Sequence, residues 1–186
     1  MMLSNAYRKM KRGPQVMLPK DIGAILAYSG ISKSSICIDA GAGSGWLAVS
    51  LARVAGRVTS YDVREDFLAI AGRNKEMEHL DNLELKLGDV TKKIDERDAD
   101  LVTLDMPSSE KALSNAKKAL KTGGYIAGYL PHMEQVKRFV SKLNSLKFHD
   151  VYVTEMIERD MLVRKEGMRP STKGVWHTGY LVFAQK

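Results

Sequence analysis

The chain has 186 residues, a formal net charge of +7, 44% hydrophobic residues and 27% charged residues. This length accommodates one domain with a sizeable core and not two, and the composition is that of a soluble globular protein. No run of about 18 apolar residues is present, which excludes a membrane span, and no apolar signal core follows the N-terminus. We therefore expect a cytoplasmic protein, and the single cysteine, Cys37, excludes an internal disulfide.

Strand and helix patterns alternate along the chain, and two consecutive strands close the series. The predicted strands cover residues 35–39, 57–62, 83–87, 100–105, 125–130, 148–157 and 179–184. The predicted helices cover residues 21–28, 45–54, 65–79, 110–120 and 134–146, and Gly123-Gly124 are interpreted as the stop of the fourth. Alternation predicts a mostly parallel sheet with helices on both faces, and the last two strands predict an antiparallel hairpin at one edge. Residues 158–175 are interpreted as a long irregular insertion.

A glycine-rich loop follows the first predicted strand, where the sequence reads Asp-Ala-Gly-Ala-Gly-Ser-Gly from Asp39 onward. A dinucleotide-binding loop has the spacing G-x-G-x-x-G, which places a pyrophosphate on a helix N-terminus. Here the third glycine comes one residue early, a pattern typical of S-adenosylmethionine binding in Rossmann-like methyltransferases. Glycines let the backbone approach the cofactor closely, and Asp39 is expected to face its ammonium group. The loop residues predicted to bind the cofactor are Gly41, Gly43, Ser44 and Gly45.

Acidic residues end the second and third predicted strands, where parallel sheets bind their ligands. Asp62 comes about twenty residues after Gly41, the distance at which a carboxylate reaches the ribose hydroxyls. Asp89 is placed to accept from the adenine amino group of the cofactor, although Gly-Asp is also ordinary turn chemistry. We assign both acids, with the following Val63 and Val90, to the cofactor site.

The fourth predicted strand ends in Leu104-Asp105-Met106-Pro107, and Asp105 is the predicted catalytic residue. The proline restricts Met106 to extended conformations and fixes the exit from the strand. A carboxylate here would lie near the cofactor and would accept a hydrogen bond from the exocyclic amine of an adenine. It would thereby stabilise the positive charge that develops when N1 is methylated. The structural alternative is an aspartate that caps the next helix.

With these residues in view, residues 12–183 resemble the tRNA (adenine-58-N1)-methyltransferase family. The resemblance rests on an ordered set of segments: Arg12-Gly13-Pro14-Gln15-Val16, Pro19-Lys20-Asp21, residues 39–45, Asp62, Asp89, residues 104–107, Tyr129-Leu130-Pro131 with Gln135-Val136, Arg169-Pro170, and His177-Thr178-Gly179-Tyr180-Leu181. It implies a class I methyltransferase fold, S-adenosylmethionine converted to S-adenosylhomocysteine, no metal, and N1 of a tRNA adenine as acceptor. It also implies that Gln15 lies over the cofactor. The substrate-side residues that it implies are Tyr129, Gln135, Arg169 and His177.

The chain departs from that family at three places. Ser108-Ser109-Glu110 stand where the family usually has Pro-Trp, and Leu18 stands where an aromatic often precedes Pro-Lys-Asp. A small N-terminal β domain that helps to hold tRNA is not expected in this chain. We therefore predict one methyltransferase domain over residues 1–186, with residues 1–20 as a basic N-terminal segment. Basic patches would then carry RNA binding, and the resemblance implies a homotetramer or a dimer.

Two other functions remain open from the residues alone. A small-molecule methyltransferase, such as a precorrin-type enzyme, is also a single domain of this size. A non-catalytic RNA-binding subunit is the second alternative, although intact acids at the predicted strand ends argue against it. His79, His132 and His149 form no metal-ligand spacing with one another or with Cys37, so no metal is expected.

Overall fold

The computed structural model of the chain describes residues 3–13 and 15–186, so the predictions that fall on Met1, Met2 and Pro14 lie outside the described residues. The helices are α1 (Asn5–Lys9), α2 (Pro19–Ser29), α3 (Trp46–Ala52), α4 (Glu65–Met77), α5 (Leu113–Ala119) and α6 (Met133–Ser145), with a 3-10 helix at Ser109–Lys111. The strands are β1 (Ile36–Ala40), β2 (Arg57–Asp62), β3 (Leu83–Leu87), β4 (Ala99–Leu104), β5 (Leu120–Leu130), β6 (His149–Glu155), β7 (Met161–Arg164), β8 (Gly167–Pro170) and β9 (Tyr180–Gln185). Across the described residues, no helix is long and apolar enough to cross a membrane.

Seven strands form one sheet in the order β3-β2-β1-β4-β5-β9-β6. The pairs from β3 to β5 are parallel, whereas β9 runs antiparallel to both of its neighbours. This arrangement confirms the predicted seven-stranded, mostly parallel sheet with an antiparallel C-terminal pair. A separate antiparallel hairpin is formed by β7 and β8.

The two faces of the sheet are buried against different helices. Successive residues of a strand point to opposite faces, so Ile38 of β1 joins the cluster that contains Leu113 and Phe139 of α5 and α6. Its neighbour Cys37 joins the other cluster, with Ile25 of α2 and residues of α3. Burial on both faces explains why the inner strands are nearly continuous apolar runs. The predicted placement of helices on both faces is thus confirmed.

Two predictions about the second half of the chain are wrong. Helix α5 does not stop at the glycine pair, because it ends at Ala119 and β5 begins at the next residue. A Cβ at Gly124 would lie 2.8 Å from the carbonyl oxygen of Ala99, so this glycine lets β5 pass close to the start of β4. The insertion at 158–175 is also not irregular throughout, because it contains the β7–β8 hairpin. Almost all side chains of the hairpin are exposed. Its strands therefore lack the alternation of apolar and polar residues from which a strand is predicted.

Candidate active site

The glycine loop directly contacts the end of β4. Gly41 has a φ of +93°, and its N–H donates to the carbonyl oxygen of Tyr61 at 2.9 Å. A Cβ at this position would lie 1.9 Å from the carbonyl oxygen of Asp105, so only glycine fits. The N–H of Asp105 in turn donates to the carbonyl oxygen of Ala40 at 2.8 Å. The predicted cofactor loop and the predicted catalytic residue are therefore held together by the backbone.

Asp62 lies beside the same loop at the end of β2. Its Oδ2 accepts from the Gly43 N–H at 2.9 Å, and its Oδ1 accepts from the Arg64 N–H at 3.0 Å. Each carboxylate oxygen has a further lone pair, so Asp62 retains acceptors for two hydroxyl groups. The next side chain, Val63, is 65% exposed.

Asp39 lies beneath the loop and not on its surface. The residue is fully buried, and its carboxylate accepts from the Ser60 hydroxyl at 2.6 Å and from the Thr103 hydroxyl at 2.7 Å. Burial raises the pKa of Asp39, while these two hydrogen bonds lower it. The contact between Asp39 and the ammonium group of a cofactor stays a prediction, and these two hydrogen bonds fix where the carboxylate lies. Asp39 places a carboxylate under the loop, between β2 and β4.

Ser44 and Gly45 complete the loop. The Oγ of Ser44 is buried and has no hydrogen-bond partner among the described residues. A buried hydroxyl without a partner costs free energy, so a polar ligand over the loop would satisfy it. Gly45, with a φ of +81°, stands directly before α3, and a Cβ there would lie 3.0 Å from Cβ of Ala71. The glycines, the orphan hydroxyl and Asp62 together fit S-adenosylmethionine.

The end of β3 contributes one acid and one core residue. The Oδ1 of Asp89 accepts from the N–H and the hydroxyl of Thr91, at 2.9 and 2.6 Å, and these bonds lower the pKa of Asp89. Its Oδ2 lies 3.8 Å from Nζ of Lys92. Val90 is 2% exposed and packs in the core, so only its backbone is available to a ligand.

Asp105 has the electrostatics of a functional carboxyl group. The residue is half-buried, and burial raises its pKa to about 7, with smaller contributions from the negative charges of Asp39 and Asp21. The carboxyl group of Asp105 therefore changes its charge near neutral pH. Perturbed carboxyl groups of this kind cluster at active sites.

A buried polar cluster formed by Lys20, Asp21 and Thr178 lies near Asp105, and sequence reasoning did not find it. Nζ of Lys20 donates to Asp21 at 2.8 Å, to Thr178 Oγ1 at 2.7 Å and to the Met156 carbonyl at 2.6 Å. The Thr178 hydroxyl donates to Asp21 Oδ2 at 2.9 Å, and Asp21 is fully buried. These contacts tie α2 to the chain after β6 and before β9. Both segments stood out in the sequence only as family motifs, because nothing local indicates a contact between residues so far apart.

Tyr129 reaches the same cluster from the end of β5. Burial raises the pKa of its hydroxyl to about 12, and the charges of Asp21 and Asp105 act in the same direction, whereas a hydrogen bond with Thr178 lowers it. Its ring packs against Gly179, where a Cβ would lie 2.7 Å from the ring. Tyr129 therefore lies close enough to Asp105 to feel its charge, and its role on the substrate side stays a prediction.

His177 joins three segments on the substrate side. Its Nδ1 lies 2.6 Å from Glu155 Oε1, its Nε2 lies 2.8 Å from the Pro131 carbonyl oxygen, and its ring packs 4.9 Å from that of Tyr180. Both partners accept, so the hydrogen bonds with Glu155 and Pro131 raise the pKa of His177. The two contacts link the chain after β5 to the end of β6.

Gln15, Gln135 and Arg169 are not brought to Asp105 by any contact among the described residues. The Gln135 Oε1 accepts from the His132 N–H at 3.1 Å at the start of α6. Arg169 is exposed on β8, and Gln15 is exposed before α2. Within residues 3–13 and 15–186, no group of three or more His, Cys, Asp or Glu side chains could hold a metal ion.

The sheet order, the loop after β1 and the acids at the neighbouring strand ends define a Rossmann-like class I methyltransferase. A family model described as the tRNA methyltransferase complex GCD14 subunit matches residues 8–172. The chain belongs to this family.

Named relatives agree with that membership. The tRNA (adenine(57)-N(1)/adenine(58)-N(1))-methyltransferase TrmI of Methanocaldococcus jannaschii is 38% identical, over 96% of this chain and 74% of the relative. The crystal structure of a tRNA (m1A58) methyltransferase TrmI from Aquifex aeolicus is 26% identical, with a TM-score of 0.89 over 95% of this chain and 72% of that one. A structure named as an S-adenosylmethionine-dependent O-methyltransferase from Thermotoga maritima is 33% identical, with a TM-score of 0.92 over 98% of this chain and 70% of that one.

Proposed function

We propose that the protein methylates N1 of adenine in tRNA, at position 58 or a neighbouring position, with S-adenosylmethionine as methyl donor. The observation that carries the proposal is the direct contact between the glycine loop and Asp105 in a chain of this family. The relatives called TrmI are named for methylation of adenines 57 and 58 of tRNA or of adenine 58. An N1 acceptor suits a carboxylate at this place, because neutral adenine has a free lone pair at N1 and needs no base.

The cofactor residues have distinct proposed roles. When bound, S-adenosylmethionine supplies an electrophilic methyl group. Gly41, Gly43 and Gly45 let the backbone approach it, and the Ser44 hydroxyl gains a partner. Asp62 and Asp89 accept from its ribose and its adenine, with Val63 and the Val90 backbone beside them, and Gln15 covers the site.

Asp105 is the proposed catalytic residue. As a carboxylate it accepts from the exocyclic amine of the target adenine, which orients the base and favours electron density at N1. The same carboxylate stabilises the cationic ring that methylation produces, an effect worth about 3–4 kcal/mol when the group is preorganised. The hydrogen bond between the Asp105 N–H and Ala40 supplies that preorganisation.

The substrate side is proposed to bind RNA through Tyr129, Gln135, Arg169 and His177. Tyr129 lies close enough to Asp105 to feel its charge, and it would offer a ring and a hydroxyl to the target base. Arg169 shares the hairpin with Arg164 and Lys165, and all three side chains are exposed. If several such cations contact the phosphates of one tRNA, they release its counterions. We therefore expect the affinity for tRNA to fall steeply as the salt concentration rises.

We further propose that the chain is one methyltransferase domain that forms a homo-oligomer, a dimer or a tetramer, in the cytoplasm. Met161, Val163 and Met168 on the β7–β8 hairpin are 54%, 75% and 72% exposed. Clustered exposed apolar side chains of this kind mark interaction surfaces. Light scattering after size exclusion measures the assembly state, and a monomer would contradict this part of the proposal.

The proposal is tested with unmodified tRNA transcripts and labelled S-adenosylmethionine. We expect label to enter tRNA, and mapping of the modified nucleotide to give 1-methyladenosine at position 58 or 57. A transcript with uridine at both positions is the matched control and should accept no label. Normal cofactor binding without transfer to tRNA would contradict the proposal, and label on an oxygen would favour the chemistry in the name of the Thermotoga structure.

A further inference from the structure

Residues 3–13, which we call the N-terminal strap, pack against α3. The rings of Tyr7 and Trp46 have centroids 5.0 Å apart, and the Tyr7 hydroxyl hydrogen-bonds to Ser50. The guanidinium of Arg53 lies 5.4 Å from the Tyr7 ring centroid, and Met10 is buried in the same cluster. The strap is therefore a docked element of the fold and carries the basic residues of the N-terminus.

One side chain, Asn74 of α4, joins the strap to the cofactor loop. Its Oδ1 accepts from the Lys11 N–H at 2.8 Å, and its Nδ2 donates to the Lys11 carbonyl at 2.8 Å and to the Ser44 carbonyl at 2.7 Å. Asn74 is 1% exposed. An asparagine amide has one acceptor and two donor hydrogens, so these three bonds use both ends of the side chain.

The loop residue that Asn74 holds is the one with the orphan hydroxyl. Ser44 lies next to Gly43, whose N–H is fixed by Asp62, so neighbouring loop residues are held from two sides. The strap also comes close to Ser44, because a Cβ at Gly13 would lie 3.5 Å from Cβ of Ser44. Displacing the strap would leave the amide of Asn74 without two partners and would release one constraint on the loop.

We propose that Asn74 is a positioning residue that couples docking of the N-terminal strap to binding of S-adenosylmethionine. The inference rests on the proposed function only in taking that cofactor as the ligand of the loop. Coupling through a shared side chain is reciprocal. A docked strap therefore strengthens cofactor binding, and bound cofactor holds the strap in place.

Two variants of the full chain break the coupling from opposite sides. Asn74→Asp keeps the size and the acceptor but sets carboxylate oxygens against two carbonyls. Lys11→Pro removes the strap N–H and leaves Asn74 intact, and the extended Met10, with a ψ of 134°, is compatible with a following proline. Asn82→Asp is the matched control, because the Asn82 amide also donates to two carbonyls, those of Ala52 and Ala55, without touching the strap or the loop.

Calorimetry should show cofactor affinity weakened about 10-fold or more in Asn74→Asp and Lys11→Pro, and unchanged in Asn82→Asp. The double variant Asn74→Asp/Lys11→Pro should bind the cofactor with about the affinity of the more strongly affected single variant. The losses should not add, since both changes break the same link. In steady-state kinetics KM for the cofactor should rise while kcat at saturating cofactor is kept. If Asn74 and Lys11 only stabilised the fold, the losses of cofactor affinity in the two variants would add. KM for the cofactor would then not rise separately from a change in kcat.

Limited trypsin digestion reads out the other half of the coupling. Cofactor should slow cleavage within the strap of the wild-type and Asn82→Asp proteins, and should protect Asn74→Asp much less. Wild-type affinity in Asn74→Asp, or strap cleavage that ignores cofactor in the wild type, would overturn the inference. Calorimetry and proteolysis use no tRNA, and only the kinetic test does. Failure of this inference is therefore distinguishable from absence of tRNA methylation, which would overturn the proposed acceptor alone.

Discussion

The two sides of the site are built differently, and Asp105 stands where they meet. On the cofactor side, the loop after β1 is held by backbone hydrogen bonds to β2 and by buried carboxylates such as Asp62. On the proposed substrate side, Tyr129 and His177 are held by side-chain contacts between distant segments, and the side chains of the β7–β8 hairpin are almost all exposed. This difference is what the proposed function requires: backbone hydrogen bonds fix the loop proposed to bind a small cofactor, whereas basic and apolar side chains stay exposed where a macromolecule is proposed to bind.

The largest expected effect comes from the residue at the junction. Asp105→Asn keeps the shape of the side chain and removes the charge, so methyl transfer to tRNA should slow about 100- to 1000-fold, in line with about 3–4 kcal/mol. Cofactor affinity should stay close to that of the wild type. Single-turnover rates and calorimetry measure the two quantities, with the exposed Asp81→Asn, at the opposite edge of the sheet, as the control. An unchanged single-turnover rate would remove Asp105 from the mechanism.

The second prediction breaks the backbone contact between the loop and β4. Gly30→Ala places a side chain at φ +60° in open space and should cost about 1–2 kcal/mol of unfolding free energy. Gly41→Ala adds a methyl group 1.9 Å from the Asp105 carbonyl oxygen, so its cost should be roughly twice that or more. Denaturant unfolding measures both variants. Equal costs would mean that the loop does not depend on this close approach.

The third prediction separates cofactor binding from catalysis. Asp62→Ala removes acceptors beside the loop and the partner of the Gly43 N–H, so cofactor affinity should fall about 10- to 100-fold. Methyl transfer at saturating cofactor should fall far less. Asp66→Ala, an exposed acid in the first turn of α4, is the control. A loss of kcat as large as that of Asp105→Asn would blur the proposed division between the two sides.

The smallest expected effect is a pH-dependent shift in stability. The pKa of Asp105 is about 7 in the folded protein, above its ordinary value, so its stabilising contribution is present at low pH and is lost as pH rises through 7. Asp105→Asn should therefore gain thermal stability relative to the wild type on going from pH 5 to pH 8. We expect a rise of roughly 2–4 °C for each kcal/mol relieved. Thermal unfolding without cofactor, at both pH values, provides the test, and a difference that is constant with pH would refute the raised pKa.

On the proposed cofactor side, the sequence predicted the strands well because these elements are local, and their role in binding a cofactor stays a prediction. Gly41 and Gly43 are adjacent in the chain to the strand that positions them, and the bounds predicted for β2 and β3 match the structure. Asp39 is the exception on this side. Its position at the end of an apolar strand was read correctly, but the hydroxyls of Ser60 and Thr103 that bury its carboxylate come from other strands.

The contacts on the proposed substrate side were not predicted, because they join segments that are far apart in the chain. Lys20 donates a hydrogen bond to Thr178, although most of the chain separates the two residues. No pattern in either segment predicts this contact. The β7–β8 hairpin was missed because burial, which produces the usual period of two, is almost absent from its strands. Asn74 was overlooked for the opposite reason, since a polar residue in a helix is ordinarily solvated.

The position of β9 between β5 and β6 has a consequence for how the sheet is completed during synthesis. Strand β6 is made before its partner, and it has no place in the sheet until residues 180–185 have emerged. Translation at about 5–20 residues per second leaves an interval of roughly 1–5 s while residues 156–179 are added. During that interval β5 is an open edge strand, although it is an inner strand of the finished sheet, and open edges pair readily with other chains. By pairing with β5 and β6, β9 therefore removes an open edge through which the nascent protein could aggregate.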